Sequence, residues 1–144
     1  MKILGIDHIG IAVNNIDRAM GFYSRALGLE LSSIEEITDG HLKVGFIDVG
    51  DQSPSETTKI ELIEPTSSES IVAKFIAKNG EGIHHICFLV DDINSVLEHL
   101  SKEGFELVDN EPRRGAAGAE IAFVHPKSTG GVLIELKEKR RLRK

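Results

Sequence analysis

Cysteine is nearly absent from this sequence. Cys87 is the single one, so no disulfide can close within the chain. A lone thiol suits a reducing cytoplasm, and a cytoplasmic location is the expectation. Long apolar runs are missing as well. Nothing approaches the roughly 20 consecutive apolar residues of a membrane helix, so no membrane partner is expected. The opening stretch MKILGIDHIGIAV is too short and too alternating for a signal peptide, and it lacks the Arg- and Ser-rich character of a transit peptide. A basic stripe is also lacking. Lys and Arg number 17 against 23 Asp and Glu, a net charge of −6, which speaks against a nucleic-acid partner. The exception is the tail KEKRRLRK at 137–144. It reads as a solvated end, with local attraction for anionic ligands as the second reading.

What remains is an ordinary globular balance, 40% hydrophobic and 28% charged over 144 residues. That is enough for one compact domain. Its organisation is a repeat. IDHIGIAVNNI (6–16) lines up with IHHICFLVDDI (83–93) at an offset of 77, and KVGFID (43–48) with EIAFVH (120–125) at the same offset. GLEL (28–31) matches GFEL (104–107) at 76. KIELIE (59–64) parallels LIELKE (133–138) at 74, placing Glu61 over Glu135. Shifts of this size are loop-length changes. A repeat this long is no solenoid unit; it implies a duplicated module related by a pseudo-twofold.

Each module reads strand, helix, three strands. The first spans 4–64: a strand over 4–13, a helix over 17–27 with apolar residues at helical spacing, then strands near 29–37, 41–49 and 57–64. Gly28 stops the helix. A linker helix occupies 66–82, with Ile71, Val72, Phe75 and Ile76 on one face and Gly80 at its end. The second module spans 83–137: a strand at 83–90, a helix at 92–103, and strands near 105–110, 119–125 and 131–137. EPRRGAAGAE (111–120) reads as a loop and HPKSTGG (125–131) as a turn. A basic tail covers 138–144. The fold class is α+β, two paired βαβββ modules forming a curved eight-stranded sheet around a metal site, in a single domain.

The metal expectation comes from the repeat. Neighbouring strand residues point to opposite faces, so His84 and His85 cannot serve one site together. His85 aligns with His8, and His84 with Asp7. A twofold between modules would bring His8, His85, Glu61 and Glu135 into one cavity. Glutamate inside an apolar strand is costly without a partner. Two imidazoles and two carboxylates suit an octahedral divalent ion with open positions; cobalt, nickel, manganese, zinc or iron would all fit. His41, His99 and His125 have no repeat partner, and His99 falls on the surface of its helix. Cys87 aligns with Gly10 and reads as a small packing residue.

The paired modules with His and Glu on their first and last strands resemble the vicinal oxygen chelate superfamily. Within it, IDHIGIAV, SIVAKFIAKNGEG, GEGIHHICFLVDDI and DNEPRRGAAGAEIAFVHPKSTGGVLIEL closely resemble methylmalonyl-CoA epimerases. The resemblance covers nearly the whole chain except the basic tail. It implies interconversion of the C2 epimers of methylmalonyl-CoA through an enolate, with one divalent ion as cofactor and a homodimer. It assigns Glu135 as both ligand and base. Inversion needs an acid/base group on each face of a planar intermediate. Some members place the second, a glutamate, on the strand matching 41–48, where this chain has Val44. Lys43, Asp48, His41 or a water are the available substitutes. Arg113, Arg114 and Lys127 lie in loops matching the family pattern and would pair with phosphate or carboxylate oxygens of a CoA thioester. A lactoylglutathione lyase-like isomerase is the nearest alternative. An extradiol dioxygenase would prefer two histidines and one carboxylate. A metal-free ligand-sequestering protein would not need all four residues in register.

Overall fold

The computed structural model describes residues 1–51, 53 and 57–140. They divide into two compact units, one within residues 8–84 and one made of residues 1–7 with 85–140. The strand β1 (Ile3–Ala12) crosses the first boundary and β5 (Gly82–Val90) the second.

In the unit 8–84, β1 leads into α1 (Ile16–Met20), which continues as a π-helical stretch, Gly21–Ala26. Then come β2 (Leu31–Ile37), β3 (Leu42–Val49), β4 (Thr58–Pro65) and α2 (Ile71–Asn79). The strand order is β2-β3-β4-β1, with β1 parallel to β4 and the other pairs antiparallel. α1 covers one face of this sheet, where Ile16 packs with Val13, Ile47 and Leu62. α2 packs against the other face, where Val72 meets Ala12, Val44 and Ile63.

The second unit repeats the plan. β5 is followed by α3 (Ile93–Lys102), β6 (Arg113–Arg114), β7 (Glu120–Val124) and β8 (Ile134–Glu138), in the order β5-β8-β7-β6. Again the first and last strands pair in parallel and the rest antiparallel. α3 buries Ile93, Val96 and Leu97 against Val90, Ala122, Val124 and Leu136. Each such side chain contributes about 1.5–3 kcal/mol on leaving water. The start of β1 belongs to this unit: Asp91 N–H donates to the Lys2 carbonyl, and Lys2 N–H to the Asp91 carboxylate. The expected α+β class and the doubled βαβββ order are both present.

Local differences have identifiable causes. The helix expected over 17–27 begins one residue earlier and widens to π geometry from Gly21, a weak helix former, before Gly28 (φ +70°) ends it. The linker helix is shorter than 66–82 because Ser70 caps it: its buried hydroxyl accepts the Val72 N–H at 3.1 Å. The strand expected near 105–110 shrinks to one bridge, Leu107 to Val124. Val108 and Asp109 N–H both go to the single Phe123 carbonyl, and the Glu106 N–H goes to the Ser128 hydroxyl, which shares the Glu106 carbonyl with the His125 N–H, so pairing does not extend beyond that bridge. The pairing moves instead to Arg113–Arg114, in the segment expected to be loop. β8 starts later than 131 because Gly130 and Gly131 take positive φ, and it runs on through Glu138 into the expected tail. Residues 141–144 of that tail lie outside the described residues.

Candidate metal centre

Strand register determines which side chains share a face. In the unit 8–84, His8, Gly10 and Ala12 of β1 stand opposite Lys59, Glu61 and Ile63 of β4. Glu61 and Ile63 in turn oppose Phe46 and Val44 of β3, and Val44 opposes Glu35 of β2. Gly10 stands directly opposite Glu61. His8 Nδ1 donates to Glu61 Oε2 at 2.9 Å. His8 is 3% and Glu61 6% exposed. A carboxylate so far from water requires such a partner.

The second unit builds the same pair. Cys87 opposes Glu135, in the place that Gly10 takes opposite Glu61. His85 Nε2 donates to Glu135 Oε1 at 2.9 Å, both residues buried. His85 meets Phe123 edge-on, with ring centroids 6.0 Å apart. Phe123 opposes Glu135, Ile121 opposes Lys137, and Arg113 opposes Ile121, so these side chains line one face. Arg113 lies over the Phe123 ring at 5.0 Å, with its Nε 3.3 Å from Asp109 Oδ2. Asp109 also accepts the Phe123 N–H at 2.9 Å. On the same face Lys137 Nζ is 3.3 Å from Asp7 Oδ2.

The remaining candidates separate clearly. Arg114 opposes Glu120 and so faces away from Arg113; it is exposed. Lys127 is exposed in a short 3-10 turn, Pro126–Ser128, whose backbone is tied to His125 Nδ1. His84 is half-buried, alternates away from His85, and packs edge-on against Phe75 of α2 at 5.0 Å. Cys87 is fully buried. The surface clefts of about 430 and 290 Å³ along α3 are lined by neither His85 nor Glu135.

A single chain that carries a buried His–Glu pair at the same place in two duplicated modules fits a known pattern. The family described as Glyoxalase/Bleomycin resistance protein/Dioxygenase superfamily matches residues 7–123. Human mitochondrial methylmalonyl-CoA epimerase is 36% identical over 92% of this chain and 73% of its own length. The chain belongs to the methylmalonyl-CoA epimerase family. Other relatives agree in extent. YqjC of Bacillus subtilis, an uncharacterized protein, is 42% identical over 92% of this chain and 91% of its own. A variant of Streptomyces coelicolor methylmalonyl-CoA epimerase, solved in complex with 2-nitronate-propionyl-CoA, is 36% identical with a TM-score of 0.89, covering 97% of this chain and all (100%) of that one. Among the described residues no helix is long and apolar enough to cross a membrane.

The residues at this face that the sequence did not single out are Phe123 and Asp109. Their places come from register across β6, β7 and β8, which no local pattern records.

Proposed function

We propose that the protein is a metal-dependent epimerase interconverting (R)- and (S)-methylmalonyl-CoA. One observation carries this reading. A buried histidine and glutamate, 2.9 Å apart, occupy repeat-equivalent positions in both units of a chain 36% identical to the human epimerase. In this reading His8, Glu61, His85 and Glu135 together hold one divalent ion. Two neutral nitrogens and two carboxylates, all buried, are a donor set that cobalt, nickel, manganese or zinc would accept. When bound, the ion supplies Lewis-acid stabilisation of the charge that develops on the enolate oxygen.

The protein groups do the rest. Glu135 takes the C2 proton: the C–H bond breaks, its electron pair enters the enolate, and the carboxylate becomes a carboxylic acid. His85 Nε2, 2.9 Å from Glu135 Oε1 without the ion, would turn its lone pair to the ion and so keep Glu135 beside it. Arg113, on the same face, meets the substrate carboxylate or a CoA phosphate with a planar fork suited to such oxygens. Arg114 and Lys127 serve the outer part of CoA. A second copy of the chain would cover Ile3 and Leu4, which are 51% and 44% exposed at the start of β1. This homodimer reading fails if sedimentation equilibrium returns only the monomer mass.

The test of activity is exchange at C2. Protein reconstituted with cobalt and given methylmalonyl-CoA in D₂O should incorporate deuterium at C2. No incorporation above a chelator-stripped control overturns the reading. Glu135→Gln should lower interconversion of the epimers by about 10²–10⁴-fold, whereas His84→Ala should leave metal content unchanged.

A further inference from the structure

Inversion at C2 requires that a proton leave from one face of the enolate and arrive at the other. Glu135 supplies one carboxyl group. The side chains that the sequence offers for the other are engaged elsewhere or turned away in the unit 8–84. Lys43 alternates away from the face of His8 and Glu61 and pairs with Glu64 at 3.6 Å. His41 sits in a left-handed turn (φ +54°) and pairs with Glu69. Asp48 is held by Lys59 at 3.6 Å and by the Thr57 hydroxyl. Val44 is 3% exposed in an apolar cluster and has no proton to give.

The geometry points to Glu35 as the second proton-transfer group, an inference that rests on the epimerase reading above. Glu35 is the cross-strand partner of Val44, on the face that carries His8 and Glu61. Directly opposed residues stand about 4.5–5.5 Å apart at Cβ. A glutamate arm is long enough to lean across Val44 and present its carboxyl group where one attached at 44 would lie. Glu35 is half-buried on an edge strand, with solvent access for resetting its proton. The repeat adds an independent argument. The row Ile63–Val44–Glu35 in one unit corresponds to Lys137–Ile121–Arg113 in the other. The same register position carries an ionisable side chain in both modules, and in the second it is the guanidinium held on the Glu135 face.

The step balances without an external reagent. Glu35 in its acid form gives its proton to C2. The enolate electron pair makes the new C–H bond, the thioester carbonyl re-forms, and Glu35 is left as carboxylate. The reverse direction starts from the other epimer with Glu35 as base and Glu135 as acid.

The experiment follows each epimer separately in D₂O with the cobalt-loaded protein. In Glu35→Gln, interconversion should fall at least 100-fold, while deuterium wash-in from the epimer served by Glu135 stays within threefold of wild type. Wash-in from the opposite epimer should be lost. Glu36→Gln, one residue away on the other face, should behave as wild type. Interconversion by Glu35→Gln within threefold of wild type overturns the inference, as does equal loss of wash-in from both epimers. Should Glu35→Gln not fold, Glu35→Asp is read by the same asymmetry. Wild-type protein that exchanges neither epimer sinks the epimerase reading itself, a result distinct from either.

Discussion

Two adjacent histidines divide their work by the pleat of β5. His85 is buried against Glu135, and His84 packs on Phe75 of the linker helix. The same alternation separates Arg113 from Arg114. Arg113→Ala should raise KM for the CoA substrate about tenfold, the order of one charge-assisted hydrogen bond, with kcat little changed. Arg114→Ala should raise it less than threefold. Steady-state kinetics on both variants checks this, and equal effects would show that β6 does not orient the two side chains differently. That His8 and His85, and Glu61 and Glu135, hold equivalent places in the two modules was legible in the sequence, because a duplicated pattern needs no coordinates to be seen. Arg113 and Arg114 were not separable, because a Gly- and Ala-rich segment carries no visible strand period. The position of Glu35 beside Val44 was not legible for another reason: it is a register fact.

At the level of elements, the two modules start their helices in the same way. Asn15 and Asp92 cap α1 and α3, accepting from Arg18 and Ser95 N–H. Glu64 and Glu138, each at the end of a last strand, accept the N–H of Ile16 at 2.8 Å and of Ile93 at 3.0 Å. Carboxylates there also favour the positive end of the helix dipole. Glu64→Ala and Glu138→Ala should each cost about 1–2 kcal/mol in urea unfolding. The Ser95 backbone N–H and hydroxyl hold the Asp92 carboxyl below the ordinary carboxylate range. A depressed folded value means this contribution is complete above the ordinary value near ~4 and is lost as pH falls through the folded one. Thermal melts of wild type should therefore decline in that acid range. Asp92→Asn, which still caps, should show a shallower decline; an identical slope would remove Asp92 from the account. The strand expected near 105–110 had a plausible residue pattern, but two of its N–H groups share the Phe123 carbonyl and a third goes to the Ser128 hydroxyl, so only the Leu107–Val124 bridge remains.

Over the whole molecule, the proposed centre draws one His–Glu pair from each unit, so it makes a stoichiometric claim. Titration calorimetry of the chelator-stripped protein with cobalt should return one ion per chain. Two ions per chain would mean that each pair binds alone. An ion that binds only the folded chain raises stability by about 2.7 kcal/mol at one hundred times its Kd, so the melting temperature should rise on loading and fall with chelator. His85→Ala should abolish that rise, because it leaves the buried Glu135 without its imidazole.

The chain alone was sufficient for the duplicated βαβββ order, the alternation that separates His85 from His84, and the equivalence of His8 with His85 and of Glu61 with Glu135. These follow from periodicity and repetition, which are properties of residue order. The tertiary structure was needed for everything that depends on lateral register. It moved the edge pairing to Arg113–Arg114, put Arg113 over Phe123, set Glu35 opposite Val44, and gave Glu64 and Glu138 their places at the helix starts. Register is decided by competition among backbone donors and acceptors for partners from remote parts of the chain. No local pattern records which of them wins.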